Sequence, residues 1–186
     1  MQDVFHPDPG LEVGALPTRG AGDASATIVA LQAKNLAQVE AHLLRLAPSD
    51  RSLRFSAGLV TDETIRRYVA GIRFDRDAVL GLIDASGSIV GVAHGCMYSV
   101  AGHVHVETAF SIDAAWRHQG HGARLMRAVA SFASGEGART LIAICNARNL
   151  PMRRICERAG MEITREEDEI HASCPPECAI GAPLPR

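Results

Sequence analysis

Between His103 and Gly122 the chain reads HVHVETAFSIDAAWRHQGHG, and this stretch holds the residues best suited to chemistry. It begins as a strand, turns, and ends in Gly120-His121-Gly122, from which a helix is expected. Glycines that open a helix let the backbone approach a ligand closely, and the first helical amides lack intrahelical partners. Those amides, with the helix dipole behind them, point at any anion placed there, so the segment reads as a phosphate cradle. His118 and His121 lie in the same loop, where an imidazolium could help hold phosphate or simply stand in solvent. Upstream, His103, His105 and Glu107 alternate, so their side chains share one face of a strand. Two imidazoles and a carboxylate could bind a metal, serve an acceptor site or form a polar sheet surface; no metal is expected.

The elements that must position these groups are those of one compact unit. The chain has 186 residues, 47% of them apolar, enough for a single well-buried core. A formal charge of -2 without a basic stripe argues against nucleic acid as a partner. No apolar run approaches the roughly 20 residues of a membrane span. The N-terminus lacks a basic flank followed by an apolar stretch, and the five cysteines are an odd count, so reduced thiols and a cytoplasmic location are expected. Cys174 and Cys178 have spacing that could suit a metal or a bridge. Zinc, however, needs about four ligands, and only His171 is near in sequence.

Residues 1–24, rich in Gly, Pro, Asp and Ala, read as a flexible leader, residues 25–172 as the folded domain and residues 173–186 as a flexible tail. A short strand is expected at Ala26 to Leu31. Asn35 then caps a helix with Leu36, Val39, Leu43 and Leu46 on its buried stripe, ending before Pro48. The segment from Ser52 to Ser56 has no strong preference and reads as a loop. Thr61 caps a second helix that buries Ile65, Tyr68, Val69 and Ile72. Strands follow at Ala78 to Asp84, Ile89 to Tyr98 and His103 to Ile112, turning at Ser86-Gly87 and Ala101-Gly102. A helix from Gly122 carries Leu125, Met126, Val129 and Phe132. The apolar run Thr140 to Cys145 reads as a central parallel strand, and Asn149 opens a last helix with Pro151 in its first turn and Gly160 as its stop. Met161 to Ile170 is expected as one edge strand.

This order, with Arg117-His118-Gln119-Gly120-His121-Gly122 behind the third strand of the meander, resembles the GNAT superfamily of N-acetyltransferases. The family's acyl-CoA loop is Gln/Arg-x-x-Gly-x-Gly/Ala, and Arg117, Gly120 and Gly122 match its fixed positions. Asn149 through Met161 resembles its second motif, an Asn-led helix closed by Gly and an apolar residue. The resemblance spans about residues 26–170. It implies an α/β GNAT fold: a single mixed sheet of six to seven strands with a splayed parallel pair, flanked by about four helices.

It also implies a site. The pantetheine arm of acetyl-CoA would enter between the splayed strands and pair with backbone at Phe110, Ser111 and Ile112, with Asn146 and Asn149 nearby; Asn149 serves equally well as a plain helix cap. Arg117, His118, Gln119, Gly120, His121, Gly122 and Ala123 would hold the pyrophosphate. The implied activity is transfer of acetyl from acetyl-CoA to a primary amine, without a covalent intermediate and without a metal. The Ile112 amide would stabilise the oxyanion. Glu107 would act as base, directly or through water, or else be a sheet-surface residue paired to an Arg. The family often has a tyrosine in the last helix as general acid; here the aligned residue is Cys156, a thiol that could donate a proton or be core. Arg51, Arg54, Phe55, Tyr68, Phe74, Asp75 and Asp77 would shape the acceptor site. The Ser52-Leu53-Arg54-Phe55 segment resembles one in GNAT domains of bacterial protein-lysine acetylation. A homodimer is possible under this reading, and a non-catalytic acyl-CoA sensor of the same fold is the rival.

Overall fold

The computed structural model describes residues 26–184; the expected leader, residues 1–24, lies outside them. Seven strands form one mixed sheet: β1 (Thr27–Ala30), β2 (Ala78–Ile83), β3 (Ile89–Val100), β4 (His103–Ile112), β5 (Thr140–Asn146), β6 (Glu162–Glu166) and β7 (Glu169–Cys174). Their order is β1-β2-β3-β4-β5-β7-β6. Only β4 and β5 run parallel; the other pairs are antiparallel.

Among the described residues, six α-helices flank the sheet, where about four were expected: α1 (Leu36–Leu44), α2 (Pro48–Phe55), α3 (Asp62–Ala70), α4 (His121–Gly135), α5 (Leu150–Arg158) and α6 (Pro176–Gly181). Alternation along β2 divides two cores. Ala78 and Leu80 join Leu125, Met126 and Val129 of α4, whereas Val79 joins Val39, Leu43, Ile65 and Val69 of α1 and α3. Thr61 caps α3 as expected, accepting from the Thr64 amide at 3.2 Å.

Three segments differ from their sequence reading. Residues 52–55, expected as loop, complete α2. Pro48 ends the preceding helix but also occupies the first turn of α2, where its missing N–H costs nothing, and Ser56 stops the helix in the left-handed region at φ 48°. The single strand expected at 161–170 is a hairpin turning at Glu167, φ 53°, and it places β7 inside the sheet with the charged β6 at its edge. Residues of the expected flexible tail are ordered: Cys174 ends β7, and α6 buries Pro176 and Ala179 near α4. Cys174 is buried and Cys178 exposed, both as free thiols.

Candidate active site

The site begins where β4 and β5 part. Their parallel pairing covers only His105 to Glu107 against Thr140 to Ile142, although β4 continues to Ile112 and β5 to Asn146. The Arg139 amide donates to the Val104 carbonyl at 2.8 Å on the β5 side, and the Asp113 amide donates to the Val90 carbonyl at 2.8 Å on the β3 side. Register against β3 is unbroken from His103 to Ile112. Even-numbered residues of β4 therefore turn their main chain toward β5, and odd-numbered residues toward β3. Phe110 and Ile112 thus offer main-chain groups to the gap. Ser111, expected to pair with a ligand through its backbone, faces β3 with it and can meet a ligand only through its side chain.

A cleft of about 140 Å³ lies over this gap, lined by Phe110, Ser111 and Ile112 of β4, by Asp50, Leu53 and Arg54 of α2, and by Arg117, Asn149, Met152 and Ile155. Arg117 Nε donates to the Ile112 carbonyl at 2.8 Å, and its two Nη groups grip both Asp50 oxygens at 3.0 and 2.8 Å. The expected loop arginine is therefore a brace between α2 and β4. Asn149 caps α5 by accepting from the Met152 amide at 3.1 Å, while also lining the cleft. Asn146 accepts from the Arg148 amide at 2.9 Å in a local turn and is not part of the cleft lining.

At the cradle, Gly120 is the N-cap of α4 with φ 79°, a left-handed conformation that favours glycine. The Arg124 amide is the first to bond back into the helix, to the Gly120 carbonyl at 3.1 Å. The amides of His121, Gly122 and Ala123 precede it, and the first turn carries no acidic residue. Gly122 is small for a different reason than the one expected: a Cβ there would come within 2.6 Å of Ile155 Cδ1, so it lets α4 and α5 approach. The His121 side chain does not face solvent. It is buried, lies tilted against Trp116 with ring centroids 5.9 Å apart, and bonds to Gln119 and Arg124. His118 is exposed, at φ 62°.

The remaining catalytic candidates lie apart from the cleft. Glu107 is exposed on the sheet face that carries Cys96, its register partner in β3. In an unbroken strand its Cα is five residues, about 17 Å, from that of Ile112. Cys156 is fully buried in the core on the α4 side of the sheet. Burial, with Cys145 and Cys174 nearby, pushes its thiol up to about 12. Of its two readings, proton donor or core residue, this place fits the core residue. Among the described residues, no group of three or more His, Cys, Asp and Glu side chains is arranged to hold a metal.

Two polar clusters flank the cleft. His42 of α1 is wholly buried, its ring nitrogens near Ser111 Oγ at 2.9 Å, Arg45 Nη2 at 3.0 Å and Asp113 Oδ1 at 3.3 Å. Burial lowers its pKa to about 4, and Arg45 and Arg54 act in the same direction against Asp113. The second cluster runs Arg54, Tyr68, His94, Asp77, Arg73. Burial alone would raise the Asp77 carboxyl, but hydrogen bonds from Arg73, the Met97 amide and His94 outweigh it and hold it low. Arg54, Tyr68 and Asp77 were legible as acceptor-site candidates; His42 and His94 were not. The one signal for His42 is its place between Val39 and Leu43 on a buried helical stripe.

The sequence profile of the acetyltransferase (GNAT) family matches residues 45–161. No match was found among curated protein sequences. Among solved structures, the GNAT domain of S. lividans PAT is similar at 16% identity over 80% of this chain and 89% of that one, with a TM-score of 0.67. A Sinorhizobium meliloti phosphinothricin acetyltransferase in complex with AcCoA shares 15% identity over 81% and 88% of the two chains, with a TM-score of 0.64. Salmonella typhimurium yncA with its cofactor acetyl-CoA shares 16% over 81% and 94%, with a TM-score of 0.62. At such identities the likeness speaks to fold, while the profile match covers well over half of the sequence: the chain belongs to the GNAT acetyltransferase family.

Proposed function

We propose that the protein is an acetyl-CoA-dependent N-acetyltransferase that passes the acetyl group directly to a primary amine, on a small molecule or a protein lysine. The observation that carries this reading is the opening between β4 and β5 beyond Glu107 and Ile142, with the N-terminus of α4 free of acidic residues at its end. Two structural neighbours are described with acetyl-CoA bound, which supports the same ligand here.

Main-chain groups of Phe110 and Ile112 suit the amide-rich pantetheine arm, and the amides of His121, Gly122 and Ala123, with His118 and Gln119 beside them, suit the pyrophosphate. Bound acetyl-CoA supplies the acetyl group as an activated thioester. Glu107 stands at the top of the opening, and through a bridging water its carboxylate takes the proton that the amine loses. With Glu107 as base, the oxyanion donor must be a gap-facing amide nearer to it than Ile112; Phe110 N–H meets that condition. The Ile112 amide then holds the pantetheine.

Calorimetric titration with acetyl-CoA, followed by thiol release over a panel of amines, polyamines and lysine peptides, tests the reading. Micromolar binding and amine-dependent thiol release are expected. Binding with no release on any amine would favour the sensor reading, and absence of binding would end both.

A further inference from the structure

We propose that Arg54 is a carboxylate-binding site within the cleft, so that the acceptor is an amine that also carries a carboxylate: an amino acid or an acidic peptide. This deepens the acetyltransferase reading and rests on it.

Arg54 lies in the last turn of α2 and lines the cleft beside Phe110 and Ser111. Its guanidinium is held in place from behind. Nη2 donates to Tyr68 Oη at 2.6 Å, and Tyr68 Oη lies 2.6 Å from His94 Nδ1. The phenol oxygen accepts from the arginine, so its own proton goes to Nδ1, and His94 Nε2–H then donates to Asp77 Oδ2 at 3.2 Å. The rings of Phe55 and Tyr68 lie with their centroids 5.1 Å from the guanidinium carbon. Aromatic faces orient a cation without neutralising it.

That charge has no counter-ion among the described residues. The nearby carboxylates are engaged elsewhere: Asp50, one turn earlier on the same helix, is gripped by Arg117, Asp113 by Arg45 and Asp77 by Arg73. Arg54 Nε is buried and has no hydrogen-bond partner. The positive charge is felt nearby, since it helps to depress both His42 and His94. A half-buried guanidinium without an anion is costly, and a carboxylate entering the cleft offsets its charge. The diphosphate of the coenzyme is assigned to the start of α4, so the anion at Arg54 belongs to the acceptor. Its amine must reach a thioester lying against the same cleft wall.

The test compares free α-amino acids with the matching α-amino amides, and acidic with neutral lysine peptides, for the wild type, Arg54→Gln and Arg54→Lys. The wild type should favour the acids. Arg54→Gln should lower kcat/KM for an acid by about 100-fold and for its amide by less than about threefold. Arg54→Lys should recover only part of the preference, and acetyl-CoA affinity should stay unchanged in both, which also reports a folded protein. Equal wild-type rates on acids and amides, or a preference that survives Arg54→Gln, overturn the proposal; the arm with the preference tells a free amino acid from a peptide. If no amine is acetylated although acetyl-CoA binds, the transfer reading has failed, and calorimetry with N-acetyl amino acids and their amides, CoA present, still decides about Arg54. Binding of the acids that Arg54→Gln abolishes supports the site, and binding indifferent to the substitution sinks it.

Discussion

His42 Nε2 lies 2.9 Å from Ser111 Oγ, within hydrogen-bond distance, joining the buried face of α1 to the cleft end of β4. The other ring nitrogen, Nδ1, lies 3.0 Å from Arg45 Nη2, whose two hydrogens also serve the Ile89 carbonyl and Asp113 Oδ2. Asp113 Oδ1, 3.3 Å from Nδ1, belongs to a carboxylate already held by Arg45 at 2.7 Å. Serine, histidine and aspartate thus stand in line at the cleft end of β4, with Arg45 beside the carboxylate.

A neutral, buried His42 makes stability fall in mild acid. Its pKa in the folded chain is about 4, against 6.5 for the unfolded chain. Between those values the unfolded chain binds the proton more readily, so stability is full above about pH 6.5, declines as pH falls and levels off below about pH 4. The loss contributed by this residue approaches about 3 kcal/mol. Urea midpoints from pH 4 to 8 should show a shallower slope for His42→Gln than for the wild type. Identical slopes would mean that the fold leaves the His42 pKa unshifted.

Gly120 and Gly122 differ in what they require. Gly120→Ala forces a Cβ into the left-handed region at φ 79° and should cost about 1 kcal/mol. Gly122→Ala meets the tip of Ile155 at 2.6 Å, and trimming that side chain to Val should relieve it. A thermal-melt double-mutant cycle of Gly122→Ala with Ile155→Val checks this: coupling is expected for that pair, and strict additivity would refute it.

The strand carrying these groups was readable in full, because His103 to Ile112 is bracketed by Ala101-Gly102 and by the loop before Gly120, and strand periodicity leaves no other register. Asn149 was readable as a cap for the same local reason. The arrangement of α2 was not, since Pro48 is at once a helix stop and a helix start and nothing local chooses between them. Nor could local pattern reveal Arg117 reaching Asp50 across 67 residues, or His42 meeting Ser111 across 69. Those contacts exist only once the sheet has brought α1 and α2 over β4. Glycine spacing located the start of α4, whereas the packing of Gly122 against Ile155 of α5 is not written in that spacing.

The brace between Arg117 and Asp50 should affect coenzyme binding more than stability. Both side chains are partly exposed, so their coupling in a double-mutant cycle with Arg117→Gln and Asp50→Asn should stay near 0.5–1 kcal/mol. Arg117→Gln also frees the Ile112 carbonyl at the edge of the opening, and acetyl-CoA affinity by calorimetry should fall about tenfold. An unchanged dissociation constant would remove Arg117 from the binding site.

Glu107 and Cys156 give opposite expectations in one experiment. Removing a general base costs roughly 100-fold or more in turnover, so Glu107→Gln should lose that much in kcat/KM and keep its acetyl-CoA affinity. Cys156 is enclosed by the α4-side core, so Cys156→Ala should lower the melting temperature through lost packing, about 1 kcal/mol, with turnover per folded molecule unchanged. If Cys156→Ala instead slowed turnover in a fully folded sample, the core would have to open toward the cleft during the reaction. Full activity of Glu107→Gln would transfer the proton's destination to solvent.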